Sequence, residues 1–218
     1  MQIQAVTFDV GGTLIEPWPS VGHVYAEVAA RHGLKNFSPD QLNARFKTAW
    51  RARKNFGHSQ TEWSELVSEV FGQTIPAEFF SELYGHFAEP AAWRIYEDVF
   101  PTLDLLASRP IKLGVISNWD ERLRPLLHKL KLDHYFQTLA ISLEVGFSKP
   151  SPVIFKNTAK ELGLPPGSIL HVGDSPEMDG AGATAAGFQV VQIHRRPSTS
   201  SGIHSLTELA SIISSSPH

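Results

Sequence analysis

The sequence predicts an α/β fold, in which helices cover both faces of a parallel β-sheet and an all-helical module is inserted into the chain. Over most of the sequence, short apolar runs alternate with amphipathic helical patterns, as they do in proteins with open parallel sheets. Between about residues 16 and 95 this alternation stops, and only helical patterns occur. The two observations together predict a sheet-forming core that is interrupted by a helical insertion.

Five apolar runs predict the strands of the sheet. Most of them are rich in β-branched residues and have glycine or proline nearby, which is typical of buried strands. The runs are residues 3–8, 111–116, 135–141, 168–172 and 188–193. Helices are predicted at residues 120–131, 151–163 and 176–187, and the last two begin with Ser-Pro and end at a glycine.

The interruption is long enough to form a domain of its own. Its helical patterns lie near residues 20–32, 40–54, 60–71 and 76–87, and no convincing strand occurs among them. We therefore expect residues 1–15 and 96–218 to form the core and residues 16–95 to form the helical domain. The joins are expected near Glu16–Pro19 and Pro90–Ile95.

The composition excludes several classes of function. The chain has 218 residues and a formal net charge of −3, so a basic surface for nucleic acid or anionic membranes is not expected. The absence of cysteine excludes disulfides, thiolate catalysis and cysteine-ligated zinc. The first residues do not resemble a signal peptide, and no apolar window reaches the roughly 20 residues that span a bilayer. We therefore expect a cytoplasmic protein without nucleic-acid or membrane partners.

Residues with chemically active side chains stand where the predicted strands end. Open parallel sheets bind their ligands beyond the carboxyl ends of the strands. Three carboxylates, a lysine and a hydroxyl group are therefore expected to meet at one edge of the sheet. They lie in the segments 9–14 (DVGGTL), 117–120 (SNWD), 144–150 (EVGFSKP) and 173–179 (GDSPEMD).

This set of groups suits the transfer of a phosphoryl group. A carboxylate such as Asp9 can attack phosphorus and form an acyl phosphate. Because the nucleophile and the substrate are both anionic, a divalent cation held by carboxylates is needed to offset their charge. Lys149 adds a positive charge, and Ser117 and the backbone N–H groups of the glycine-rich turn can donate hydrogen bonds to phosphate oxygens. Ligands that offer only oxygen favour Mg²⁺ over Zn²⁺.

The motifs, in this order, resemble those of the haloacid dehalogenase-like (HAD) superfamily. Asp-x-x-Gly-Thr-Leu after an apolar strand is followed by Ser-Asn, by Lys-Pro and by Gly-Asp-Ser-x-x-x-Asp. The resemblance covers residues 1–15 and about 96–195, and it implies a Rossmann-like core. The helical insertion resembles the helical cap that one subgroup of the superfamily carries. The resemblance further implies an Mg²⁺-dependent hydrolase that works through an aspartyl-phosphate intermediate.

The resemblance also implies a role for each motif residue. Asp9 would be the nucleophile and a metal ligand, together with the carbonyl of Gly11. Asp174 would be the main metal ligand of the last motif, and Asp179 would support the metal shell.

The remaining motif residues would hold the phosphate. Ser117 and Lys149 would bind the transferring phosphoryl group, with help from the backbone around Asn118. Gly12 and Thr13 belong to the turn that contacts phosphate, and Thr13 would also steady the nucleophile loop.

Gly11 departs from the pattern of the superfamily's phosphatases. These enzymes usually carry a second aspartate at this position, which protonates the leaving group and then activates water. A positioned acid or base accelerates a reaction by about 10²–10⁴-fold. Three explanations stay open: another carboxylate such as Glu16, Asp120 or a cap residue replaces it, the leaving group needs little protonation, or the protein is a slow or inactive relative.

The preferred hypothesis is therefore a phosphatase of small phosphorylated metabolites. One alternative is a catalytically weak or inactive relative that only binds phosphate or a metabolite. A second is a metal-independent 2-haloacid dehalogenase. A phosphonatase ranks lower, because it would need a cap lysine for imine formation and the lysines available there, Lys47 and Lys54, look like solvated helix charges. Neither the identity of the substrate nor the oligomeric state follows from the sequence.

Overall fold

The computed structural model describes residues 2–53 and 56–214, so Lys54 lies outside the described residues. The chain divides into two compact units. The first, called the core unit here, consists of Met1–Ile15 and Ile95–His218. The second, called the helical unit, is Glu16–Arg94.

The described residues of the two units contain the following strands and helices. The strands are β1 (Ala5–Phe8), β2 (Ile15–Pro17), β3 (Trp93–Ile95), β4 (Lys112–Ser117), β5 (Thr138–Ile141), β6 (Ile169–Gly173) and β7 (Gln189–Gln192). The helices are α1 (Val21–Arg31), α2 (Pro39–Ala52), α3 (Gln60–Phe71), α4 (Ala77–His86), α5 (Val99–Ala107), α6 (Leu123–Lys129), α7 (Ser142–Val145), α8 (Pro152–Leu162), α9 (Gly182–Ala186) and α10 (Leu209–Ser214).

A five-stranded sheet forms the centre of the core unit, in the order β5-β4-β1-β6-β7. Every pairing in it is parallel. Helix α8 packs against β4 and β5, and α5 packs against β4. The predicted α/β class with a parallel sheet flanked by helices is therefore confirmed.

The central strand β1 and its neighbour β6 are buried along their whole length. All four residues of β1 and all five of β6 are buried. One pair in the register is polar: Thr7 of β1 lies opposite His171 of β6. Asp9 directly follows the last residue of β1, the central strand, and so lies in the middle of the carboxyl edge of the sheet.

Several predicted elements differ from those observed. The helix predicted at residues 120–131 covers only Leu123–Lys129, and the strand predicted at residues 135–141 begins at Thr138. The helix predicted at 176–187 is a π-helical turn, Pro176–Ala181, followed by the short helix α9. Helix α5 was not predicted, since its short apolar sequence has no polar face to reveal a helical period.

The helical unit packs α1–α4 around its own apolar core. Buried members of this core include Val28, Leu42, Leu66 and Phe79. Ser38 and Ser59 each form a capping box at the start of α2 and α3, which explains where these helices begin. The expectation that residues 16–95 contain no strand was wrong at the two ends, where β2 and β3 pair with each other.

None of the helices that the structure describes combines the length and the apolar character needed to cross a bilayer.

Candidate active site

Asp9 stands directly after β1 and is almost fully buried, with 7% of its surface exposed. Its backbone N–H donates to the carbonyl of Val172 in β6, at 2.9 Å, which fixes the residue at the sheet edge. Its Oδ1 accepts hydrogen bonds from Ser117 Oγ at 3.0 Å and from Lys149 Nζ at 2.6 Å. Burial raises the pKa of Asp9, and Lys149 opposes that rise. The structure therefore brings Asp9, Ser117 and Lys149 together.

Lys149 lies between two carboxylates. Its Nζ donates to Asp9 Oδ1 and to Asp179 Oδ1, both at 2.6 Å. Burial disfavours the ammonium, but the charges of Asp179 and Asp9 outweigh it and raise the pKa of Lys149 above its ordinary value. The side chain of Asn118 fixes the backbone at this position, because its Nδ2 donates to the Lys149 carbonyl and its Oδ1 accepts from the Lys149 N–H. Asn118 thus acts through its side chain on the position of Lys149.

Asp179 is held by three donors. Lys149 Nζ and His171 Nε2 share its Oδ1, and the N–H of Ser175 donates to its Oδ2 at 3.1 Å. Burial opposes ionisation here, but Lys149 and His171 hold the pKa of Asp179 below its ordinary range. Gly173 makes this position possible, because a Cβ on that residue would overlap the carboxyl carbon of Asp179.

Asp174 completes the carboxylate cluster and is exposed at its outer side. Desolvation by the surrounding protein, followed by the charges of Asp9 and Asp179, raises the pKa of Asp174 to about 7. Gly12 lets the turn after Asp9 approach this residue: its φ is +80°, and a Cβ there would lie 2.5 Å from Asp174 Oδ2. Asp174 is not the N-cap of the helical turn that follows, since Ser175 accepts from the N–H of Met178.

The cluster fits a divalent cation. One carboxylate oxygen from each of Asp9, Asp174 and Asp179 lies within 4.8 Å of the others. Opposite ligands of Mg²⁺ lie about 4.2 Å apart, twice the usual Mg–O distance of about 2.1 Å. Three carboxylates also face a single ammonium, so the ionised cluster carries an excess of negative charge that a cation would offset.

The turn after β1 is stabilised by its own backbone. The N–H of Gly12 donates to the Ile15 carbonyl at 2.8 Å, and the N–H of Thr13 donates to the Val10 carbonyl at 3.2 Å. These amide groups therefore serve the turn, and phosphate binding by Gly12 and Thr13 stays a prediction. Arg195 also donates to the Thr13 carbonyl, through Nε at 3.1 Å.

Gly11 borders an aromatic side chain. A Cβ on Gly11 would lie 3.4 Å from Cζ3 of Trp119, which is an ordinary van der Waals distance, and its φ lies outside the left-handed region. The backbone at this position therefore accepts a side chain, and the glycine is not required by the turn. The position of the Gly11 carbonyl relative to a metal stays a prediction.

Two carboxylates that the sequence offered as substitutes for the missing acid are engaged elsewhere. Asp120 is fully buried and accepts from Arg122 Nε at 2.8 Å and Nη2 at 2.6 Å. It is not the N-cap of α6, since that position is Arg122. Glu16 belongs to the helical unit and pairs with Arg94 there.

Two residues that support the site were not predicted from the sequence. His171 is fully buried, and its Nδ1 shares a 3.0 Å hydrogen bond with Thr7 Oγ1 while its Nε2 contacts Asp179. A histidine two residues before Gly173, on a strand beside a threonine, is the only sequence signal. Arg195, which contacts Thr13 and pairs with Asp98 at 2.7 Å, carried no such signal because it lies in a loop far along the chain.

Comparison with known proteins gives one family. Residues 3–187 match the family described as haloacid dehalogenase-like hydrolase. The human haloacid dehalogenase-like hydrolase domain-containing protein 3 is 32% identical over 204 residues, which cover 86% of this chain and 80% of that protein. Glyceraldehyde 3-phosphate phosphatase of Methanopyrus kandleri is 29% identical over 210 residues, 88% of this chain and 84% of the enzyme.

A solved structure agrees with this assignment. The HAD phosphatase from Thermococcus onnurineus superimposes with a TM-score of 0.70 at 28% identity, over 97% of this chain and 98% of that one. Its fold is thus shared over nearly the whole length of both chains. The protein therefore belongs to the haloacid dehalogenase-like hydrolase family.

Proposed function

We propose that this protein is a Mg²⁺-dependent phosphatase of small phosphorylated metabolites, with Asp9 as its covalent nucleophile. The observation that carries the proposal is the arrangement around Asp9. Its carboxylate contacts Ser117 and Lys149 and lies in one cluster with Asp174 and Asp179, at the carboxyl end of the central strand. A buried carboxylate that contacts a lysine ammonium and lies beside further carboxylates is typical of a functional site. Such a carboxylate is suited to attack a charged phosphate and does more than stabilise the fold.

In this proposal the two oxygens of Asp9 have different roles. Oδ1 accepts from both Ser117 and Lys149, which orients the carboxylate, and Oδ2 carries neither of these bonds. The proposal therefore assigns the bond to phosphorus to Oδ2. Lys149 and Ser117 then stand beside the transferred group, where their N–H and O–H groups can donate to its oxygens.

Asp9, Asp174 and Asp179 would hold Mg²⁺, together with the Gly11 carbonyl. When bound, the ion would offset the charge of the phosphate and of the carboxylates around it. Lys149 and His171 keep Asp179 in a fixed position for this contact. Asn118 in turn fixes the backbone that carries Lys149.

Small metabolites are the proposed substrates. The helical unit is inserted directly after the nucleophile turn, and we assign it the role of a cap that limits access to bulky substrates. The Methanopyrus relative is, by its name, a phosphatase of a phosphorylated three-carbon sugar, which supports a substrate of this size. A cytoplasmic location and the absence of macromolecular substrates belong to the same proposal.

The test is phosphate release from a panel of phosphomonoesters and acyl phosphates, with Mg²⁺ and with EDTA. We expect turnover that needs Mg²⁺ and that Asp9→Asn abolishes, because the amide cannot form the acyl phosphate. Asp104→Asn is the matched control: this exposed aspartate contacts Tyr135 on the surface of the core unit, and its variant is expected to retain activity.

Three results would contradict the proposal. Turnover that survives Asp9→Asn would exclude Asp9 as the nucleophile. Absence of Mg²⁺-dependent turnover on every substrate, in protein that still binds Mg²⁺, would favour the non-catalytic binding protein. Halide release from 2-haloacids in EDTA would favour the dehalogenase.

A further inference from the structure

The fate of the leaving group is the step that the cluster around Asp9 leaves open. When the bond between phosphorus and the leaving oxygen breaks, the electron pair stays on that oxygen. An alkoxide formed in this way needs a proton, and a positioned acid contributes about 10²–10⁴-fold to such a step. A weakly basic oxygen, as in a phenolate, an enolate or a carboxylate, departs without one.

The ionisable groups of the cluster are already engaged. Within residues 2–15 and 95–214, those that the structure places around Asp9 are Lys149, Asp174, Asp179 and, behind them, His171. Lys149 donates to two carboxylates, and His171 is fully buried behind Asp179. The two aspartates are metal ligands in the proposed function, and a ligand carboxylate holds no proton.

The carboxylate of the SNWD segment, Asp120, pairs with another residue. Both oxygens of Asp120 accept from the guanidinium of Arg122, and the side chain is fully buried. Freeing it would leave Arg122, itself nearly buried, without that ion pair. Asp120 is therefore part of the structure of this loop and not a donor to a leaving group.

The Gly11 side of the turn after Asp9 is bordered by the ring of Trp119, where the superfamily's phosphatases usually place an aspartate. Cζ3 of Trp119 lies at van der Waals distance from the position that a Gly11 Cβ would occupy. The backbone of Trp119 is fixed there, because its N–H donates to Ser142 Oγ at 3.1 Å and its carbonyl accepts from the N–H of Leu143. An indole ring, which is planar and largely apolar, therefore lies on the Gly11 side of the turn and suits an unsaturated group.

We infer that the substrates of this site are phosphate esters or anhydrides with a weakly basic, unsaturated leaving group, such as an aryl, enol or acyl phosphate, which is seated against Trp119 beside Gly11. The inference rests on the proposed function and specifies its substrate class. Asp9 Oδ2 forms the bond to phosphorus, and the bond to the leaving oxygen breaks with its electron pair on that oxygen. Water then bonds to phosphorus, the aspartyl bond breaks to restore the carboxylate, and the proton of the water passes to solvent.

The experiment is a series of substituted phenyl phosphates, from 4-nitrophenyl to phenyl, together with ethyl phosphate and acetyl phosphate, in the presence of Mg²⁺. The measured quantity is kcat/KM, because it reports the step in which the leaving group departs even when hydrolysis of the aspartyl phosphate limits kcat. For the wild-type protein we expect kcat/KM to fall by about 10²-fold or more from 4-nitrophenyl to phenyl phosphate, because the more basic phenolate must leave without the roughly 10²–10⁴-fold assistance of a positioned acid. Acetyl phosphate is expected to react at least as well as 4-nitrophenyl phosphate.

Two variants place an acid and its isosteric control on the Gly11 side. Gly11→Asp is expected to reduce that fall by about tenfold or more, since the new carboxyl group can protonate the leaving oxygen. Gly11→Asn is expected to keep the steep dependence. A Cβ at Gly11 meets Trp119 at an ordinary contact distance, so both variants are expected to fold, and the wild-type series can be interpreted without either of them.

The outcomes separate the inference from the proposed function. A wild-type kcat/KM that barely changes along the series would overturn the inference and leave the phosphatase intact. An equal dependence in folded Gly11→Asp and Gly11→Asn would overturn the assignment of this side to the leaving group. Absence of turnover on every member of the series, in protein that binds Mg²⁺, would overturn the proposed function itself.

Discussion

Replacing Lys149 by methionine tests whether the cluster is held by the contacts described above. The ammonium forms two 2.6 Å hydrogen bonds, to Asp9 and to Asp179, and the side chain is 4% exposed. Methionine keeps most of the volume of the chain and removes its charge. The variant leaves two buried carboxylates facing each other without the cation between them.

The expected loss of stability follows from this burial. Removing one partner of a buried ion pair costs about 3–5 kcal/mol, because the remaining charge stays desolvated. We therefore expect the free energy of unfolding in EDTA to fall by about 3–5 kcal/mol, a large share of the ~5–15 kcal/mol of a typical domain. Asp179→Asn in the same chain removes one of the two unpaired charges, so the double variant should lose less than the sum of the single losses, by about 1–3 kcal/mol.

Urea denaturation followed by circular dichroism measures these losses, and hydrogen exchange of β1 and β6 locates them in the core unit. Lys156→Met is the matched control, since Lys156 is an exposed residue of α8, and its effect should stay within about 0.5 kcal/mol. A loss at Lys149 as small as that of the control, or strict additivity with Asp179→Asn, would refute the proposed arrangement of charges.

Three further predictions concern residues that support the cluster. Burial opposes the ionisation of Asp98, but Arg195 and a backbone N–H hold its pKa below the ordinary value. The contribution of Asp98 to stability is therefore present above about pH 4 and is lost as the pH falls through the lowered pKa. In thermal unfolding, Asp98→Asn should be less stable than wild type at pH 7 and equal to it in acid. Gly173→Ala should lower the free energy of unfolding by about 1–3 kcal/mol and weaken Mg²⁺ binding in calorimetry, because its Cβ overlaps Asp179. The free energy of unfolding of Gly11→Ala should remain within about 1 kcal/mol of the wild-type value. Equal losses in the two variants would contradict the geometry. Arg195→Met removes a donor to the turn after β1, so hydrogen exchange of that turn should accelerate while exchange in β4 does not; unchanged exchange in the turn would show that the contact is dispensable.

The sequence predicted most of the sheet and the group around Asp9, for a physical reason. Buried parallel strands are continuous apolar runs, and polar residues directly after such runs stand together at one edge. Asp9, Ser117, Lys149 and Asp179 lie far apart along the chain, and the structure joins them by hydrogen bonds. Their order relative to the strands was sufficient to place them.

The parts that sequence did not predict depend on contacts that leave no local pattern. The predicted helix at residues 176–187 starts at the Ser175-Pro176 pair and ends at a glycine. Asp179 must turn inward to reach Lys149 and His171, and the chain forms a π-helical turn there instead of a regular helix. The ion pair of Asp120 with Arg122 was equally hidden, since two residues that are two positions apart do not face each other in a helix.

The bond between Arg195 and the Thr13 carbonyl has a consequence for how the limits of the core unit are drawn. The family match ends at residue 187, yet Arg195, Ser205 and Leu206, which all lie beyond that residue, donate hydrogen bonds to Asp98 within the matched span. A chain shortened to the matched span would keep every residue of the carboxylate cluster and still lose a donor to the turn that follows Asp9. Engineering of this protein should therefore keep the stretch from 195 to 206, because it supports the turn beside the carboxylate cluster.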